Sequence, residues 1–129
     1  MATQNIEIIE RVYDAYASRD VEGLLAILDE DFEIRASEPL PWGGSFKGKD
    51  GMMEFIQRIS SHVESIVDVD EMFEAGDHVI AIGRSSGKIN ATGEPYAVRL
   101  VDVCELRDGK ILSIHIYLDT PAMLDALGQ

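Results

Sequence analysis

The stretch Tyr96–Thr120, YAVRLVDVCELRDGKILSIHIYLDT, constrains the fold more than any other part of the chain. Two β-type runs flank Arg107-Asp108-Gly109-Lys110, a polar turn whose Asp-Gly pair is a strong hairpin signal. Side chains alternate across a strand. Val98, Leu100, Asp102, Cys104 and Leu106 therefore share one face, and Ala97, Arg99, Val101, Val103 and Glu105 the other. The second run groups Leu112, Ile114, Ile116 and Leu118 opposite Ser113, His115, Tyr117 and Asp119. One acid, Asp102, thus stands in the middle of an apolar face. Burying an unsatisfied carboxyl is expensive. Asp102 is therefore either tied to a backbone amide or to a base such as Arg35 or Arg84, or it has a chemical task.

The segments before the hairpin supply helices and further strands. Ile6, Ile9, Val12, Tyr13 and Tyr16 recur at helical spacing, which predicts a helix over residues 5–18 with Asn5 as its N-cap. After Ser18-Arg19-Asp20 a short helix is expected over 21–28, capped by Asp20. Phe32-Glu33-Ile34-Arg35-Ala36 reads as a strand with Phe32, Ile34 and Ala36 on one face. Residues 37–47 read as a loop, because Pro39 and Pro41 forbid regular helix and Gly43-Gly44 permits sharp turns. Gly48-Lys49-Asp50-Gly51 leads into a third helix bearing Met52, Met53, Phe55, Ile56, Ile59 and Val63. Strands are expected over 66–73 and 79–86 around a Gly76-Asp77 turn, then a long polar connection or a partly paired extension over 87–95. A last helical turn at 121–127 follows the hairpin, with Asp119 placed to cap it. Helices segregated from an antiparallel sheet define an α+β class, and a sheet curved over helices leaves a cone-like cavity between the layers.

Length and charge bound the function. A chain of 129 residues with 46% hydrophobic content is expected to be one domain spanning 1–129, with a real core. Its net charge of −13, from 24 acids against 11 bases, argues against nucleic acid and anionic lipid as partners. Apolar runs are too short to span a membrane and MATQNIEIIE does not read as a secretory signal, so a cytoplasmic location is expected. The single Cys104 suits a reducing compartment and forms no intrachain disulfide. No cofactor or metal is expected. The sequence has no glycine-rich phosphate loop, and His115 and Asp119 would lie roughly 13 Å apart on a strand, too far to share a metal.

Several short landmarks together resemble the SnoaL-like, ketosteroid-isomerase-related branch of the NTF2-like superfamily. They are Arg19-Asp20-Val21-Glu22 between two helices, Leu28-Asp29-Glu30-Asp31-Phe32 entering a strand, and Phe46-Lys47-Gly48-Lys49-Asp50-Gly51 before a helix. Arg107-Asp108-Gly109-Lys110-Ile111 and Tyr117-Leu118-Asp119-Thr120 complete the set. The resemblance implies an NTF2-like (cystatin-like) cone, with a curved antiparallel sheet wrapped over three N-terminal helices around an apolar pocket. It also implies a homodimer through the outer sheet face, where Arg99, Val101 and Val103 fall.

The resemblance assigns roles as well. Asp102 matches the strand aspartate that ketosteroid isomerases keep protonated in their oxyanion hole, the residue that the face pattern singles out independently. The helix-one tyrosine position falls on Val12, and Tyr16, one turn on, is the candidate phenolic donor. Glu38-Pro39 resembles the family's Asp-Pro and makes Glu38 the candidate base. Trp42 is either a lid stacked on a ligand or a core anchor. Leu100, Cys104, Ile116 and Leu118 are the expected strand-side wall. Epoxide hydrolases of this fold need an arginine and a second aspartate where this chain has Leu100 and Ile116, so that chemistry is not expected. The expected function is binding of a small apolar carbonyl compound of steroid, terpenoid or polyketide type, with cofactor-free isomerisation or cyclisation by proton transfer. The other reading is a non-catalytic ligand-binding or dimerisation module.

Overall fold

The structure, a computed structural model, describes residues 2–128. The elements run α1 (Ala2–Ser18), α2 (Val21–Ala26), β1 (Leu28–Ala36), β2 (Gly44–Lys47), α3 (Gly48–Ser60), β3 (Val63–Ala75), β4 (His78–Ile89), β5 (Pro95–Arg107), β6 (Lys110–Leu118) and α4 (Thr120–Ala126). The six strands form one sheet in the order β2-β1-β6-β5-β4-β3. Every neighbouring pair is antiparallel except β1 and β6, which run parallel with Ile34 opposite Ile114. The chain thus forms the expected α+β class, with its curved sheet left unclosed.

The caps and joints follow local chemistry. Asp20 caps α2 as expected, its side chain accepting from Gly23 N at 2.9 Å. Arg19 takes a left-handed conformation, and Asp20 N bonds back to Ala15 O at 2.8 Å, which closes α1. Asp119 caps α4 by accepting from Ala122 N at 3.2 Å. Asn5 does not cap: α1 already runs from Ala2, and the Asn5 amide instead donates to Glu74 on β3 at 3.4 Å.

Two strand features were not legible in the sequence. Residues Gly44–Lys47 form β2 rather than loop, pairing with Glu33–Ala36 of β1. In the hairpin, Glu105 faces Ser113 but Leu106 faces Ile111, so β6 carries one extra residue at Leu112. The bulge moves Leu112 off the apolar face and seats Ile111 there, fully buried. Asp102 keeps its predicted phase, facing Ala81 and Ile116.

The sheet also bends along β4. A Cβ on Gly83 would meet the Asp68 carbonyl oxygen at 2.0 Å, so only glycine lets β3 lie this close. The inner face packs on α1 and α3 through Ile8, Ile9, Phe32, Met52 and Phe55, and Met123 of α4 joins the same core. The alternation read from the sequence holds on β5: Val98, Leu100, Asp102, Cys104 and Leu106 are all buried.

Candidate active-site cavity

A cavity of about 100 Å³ lies between the inner sheet face and helices α1 and α3. Its wall includes Val12, Tyr16, Trp42, Leu100, Asp102, Ile116 and Leu118, seven of the nine residues singled out in the sequence. Trp42 is 2% exposed, packed in the core as an anchor, and one side of it lines the cavity.

Two of the nine lie elsewhere. Cys104 is buried one step beyond Asp102 on the same face, opposite Val79 and Ile114, and is not part of the wall. Burial and the nearby Asp102 push its thiol pKa up, which keeps it protonated and inert. Glu38 is exposed in the turn after β1. That turn folds back on itself, Leu40 N to Ser37 O at 3.1 Å and Gly43 N to Leu40 O at 2.8 Å. The fold-back buries Leu40 and Trp42 and leaves Glu38 outside the cavity.

The partner of Asp102 is Tyr13, which the sequence reading passed over for Tyr16. The Tyr13 hydroxyl donates to Asp102 Oδ2 at 2.6 Å. Asp102 is 7% exposed, and its Oδ1 is buried with no protein partner. Burial pushes the Asp102 carboxyl up to about 6, while the Tyr13 hydrogen bond pulls it down. The Tyr13 phenol is driven far above its ordinary value, by burial first and by the Asp102 charge second, so it remains a donor. The spacing of α1 held the clue. Tyr13 and Tyr16 sit three residues apart and both border the inner face, so choosing one by helical phase alone discarded the other.

Tyr16 serves a second polar group. Its hydroxyl meets Ser65 Oγ of β3 in a short hydrogen bond. Arg19 reinforces that joint by donating to Ser65 O at 3.1 Å and lying 4.9 Å from the Tyr16 ring centre. Nearby, Ser85 Oγ of β4 and the Tyr96 hydroxyl of β5 lie 3.0 Å apart. The rest of the wall is aliphatic or aromatic, and none of its residues is basic. Among the described residues no group of three or more His, Cys, Asp or Glu is placed to hold a metal ion.

A carboxyl with a pKa of about 6 can take a proton from, or return one to, a weakly acidic group at neutral pH. Oδ1 is the atom free to do so, because Oδ2 already accepts from Tyr13.

A helical layer against a curved open sheet, with a cavity between them, defines an NTF2-like protein. The chain matches an NTF2-like protein of unknown function from Burkholderia pseudomallei with a TM-score of 0.90, at 24% identity over 98% of each chain. It matches TerC, co-crystallised with polyporic acid, equally well: TM-score 0.90, 26% identity, 98% of this chain and 99% of that one. A SnoaL-like polyketide cyclase homologue from Jannaschia sp. CCS1 gives a TM-score of 0.86 at 19% identity, over 98% of this chain and 92% of that one. No curated protein sequence matches the chain at a significant level. The SnoaL-like domain model matches residues 9–114, and the chain belongs to that family.

Proposed function

We propose that the protein binds a small, mainly apolar carbonyl compound and moves a proton on it through Asp102, without a cofactor, in an isomerisation or cyclisation. The observation that carries this reading is Asp102 Oδ1: buried, unpartnered, on the cavity wall, and belonging to a carboxyl of pKa about 6. With Glu38 outside the cavity, Asp102 is both the base and the returning acid. Ionised, it takes the proton from a carbon next to the carbonyl and leaves an enolate; protonated, it returns that proton to another carbon of the same enolate. The Tyr13 hydroxyl holds Oδ2 and leaves Oδ1 unengaged. Such general acid–base help is worth about 10²–10⁴-fold in rate.

The cavity narrows the substrate. About 100 Å³ of open space falls short of the roughly 300–1,000 Å³ of pockets that bury drug-sized ligands. This favours terpenoid or polyketide fragments with one ring or an open chain over a fused steroid. A relative shows that this fold takes an oxygenated ring compound, since TerC was co-crystallised with polyporic acid.

The test is exchange of hydrogen for deuterium next to the carbonyl of one-ring ketones and enones, followed by NMR in heavy water. Wild type is expected to accelerate exchange at least a hundredfold over buffer, and Asp102→Asn to abolish the acceleration. If ketones bind but none exchanges faster than in buffer, the non-catalytic binding module replaces this reading. The exposed position of Glu38 is the observation on that side, since it leaves the carboxyl without a second acid or base.

A further inference from the structure

The proton-transfer reading uses one end of the cavity and leaves the other unexplained. Asp102 faces Ala81 on β4, and Ser85 lies four residues further along the same strand. At about 3.3 Å per residue, the two stations stand roughly 13 Å apart along the strand. Leu100, opposite Gly83, separates them on the wall. Tyr13 and Tyr16 lie one turn apart on α1 and reach to one station each, Tyr13 to Asp102 and Tyr16 to Ser65.

The far station is made only of hydroxyls. Tyr16 bonds Ser65, and Tyr96 bonds Ser85. Four hydroxyls carry four hydrogens and these two bonds use two, so two hydrogens remain to donate and several lone pairs remain to accept. Ser65 and Ser85 are the buried polar residues there, and both line the cavity beside Tyr16. Hydroxyls in an apolar wall are expensive unless satisfied, and an apolar ligand tip would leave the spare hydrogens without a partner. A charged tip would find no direct counter-ion: Arg19, the cation at this end, is engaged with Ser65 O and the Tyr16 ring and is not on the wall, and the carboxyl on the wall is Asp102 at the other end.

We infer that the Tyr16–Ser65–Ser85 end is a specificity subsite for a neutral oxygen, hydroxyl or carbonyl, at the tip of a slim ligand whose other end meets Asp102. This rests on the reading of Asp102 as the reacting end and adds the substrate class: an extended, uncharged compound oxygenated at both ends. Each hydroxyl pair can reverse its direction of donation, so the subsite accepts from an alcohol or phenol and donates to a carbonyl equally well.

Raspberry ketone, a phenol joined through a short chain to a methyl ketone, tests it against benzylacetone, the same molecule without the phenol hydroxyl. Trp42, the single tryptophan, lies on the wall and reports binding by fluorescence. Wild type is expected to bind raspberry ketone about three- to tenfold more tightly, as suits one net neutral hydrogen bond. In Ser85→Ala and in Tyr16→Phe that preference is expected to fall to near unity, with benzylacetone affinity retained as the sign of an intact cavity. Equal affinity of wild type for both ligands, or the same loss for both in the two variants, overturns the subsite. Absence of deuterium exchange alongside a retained preference would remove the proton-transfer reading and leave this subsite standing.

Discussion

At the scale of single residues, Asp102 sets a conflict between stability and chemistry. An unfolded aspartate titrates near 3.9, whereas in the folded chain burial raises Asp102 to about 6. The folded state therefore holds this proton more tightly than the unfolded state. The resulting stabilisation is fully present below about pH 4 and is lost as pH rises through about 6, a change on the order of 3 kcal/mol. Asp102→Asn keeps the shape and an acceptor for Tyr13 but cannot ionise. It is expected to melt above wild type at pH 7.5 and to converge with it near pH 4. A melting gap equal at both pH values would show that the buried charge is not the cause. Tyr13→Phe removes the one contact that lowers the Asp102 pKa, so the carboxyl should titrate higher than about 6. Carboxyl NMR of the labelled protein reads this directly, and an unchanged midpoint would place the Tyr13 hydrogen bond outside the balance. Asp102 was legible because a lone acid breaks an alternating apolar run. Tyr13 was not, because which of the two tyrosines meets β5 and which meets β3 depends on how α1 is rotated against the sheet, and one sequence does not contain that angle.

At the scale of elements, period-two and period-3.6 patterns located the helices and long strands because each of these elements buries one face. The patterns failed where backbone rather than side-chain burial decides. β2 is four residues long and pairs only with β1, so too few side chains alternate to announce it. The bulge at Leu112 exchanges one apolar residue for another on the inner face, Ile111 for Leu112, and hydrophobicity does not distinguish them. Gly83 is the opposite case, a residue whose absence of a side chain shapes the cavity. With the Asp68 carbonyl oxygen 2.0 Å from where its Cβ would stand, any side chain forces β3 and β4 apart. Gly83→Ala is expected to lower stability by about 1–3 kcal/mol, the range for forcing extra atoms into a packed site, measured by urea titration. The strand separation would also disturb the wall at Leu100, its β5 partner. A variant as stable as wild type would mean that β3 can shift freely.

At the scale of the whole molecule, the outer sheet face carries the remaining proposal, a homodimer. Phe73, Ile80 and Val103 lie in one cross-strand row, with Ile82, Val101 and Tyr117 in the next. Phe73 and Tyr117, at opposite ends of the two rows, are 43% and 51% exposed, so the apolar rows end in large side chains open to solvent. A second copy of the chain would cover both rows at once, and isologous pairing is the commonest way a soluble chain hides such a face. Charge opposes it, because each protomer carries a net charge of −13. Bringing two such bodies together costs least when salt shortens the screening length, which is about 8 Å at physiological ionic strength. Dimerisation should therefore tighten as sodium chloride rises, the reverse of an interface held by ion pairs. Val101→Glu places a charge in the middle of the face and is expected to give a monomer at micromolar concentration at all salt levels. Sedimentation velocity of both proteins across a salt series decides the matter. A wild type that stays monomeric, or a dimer that loosens with salt, would mean that these rows face something other than a second copy.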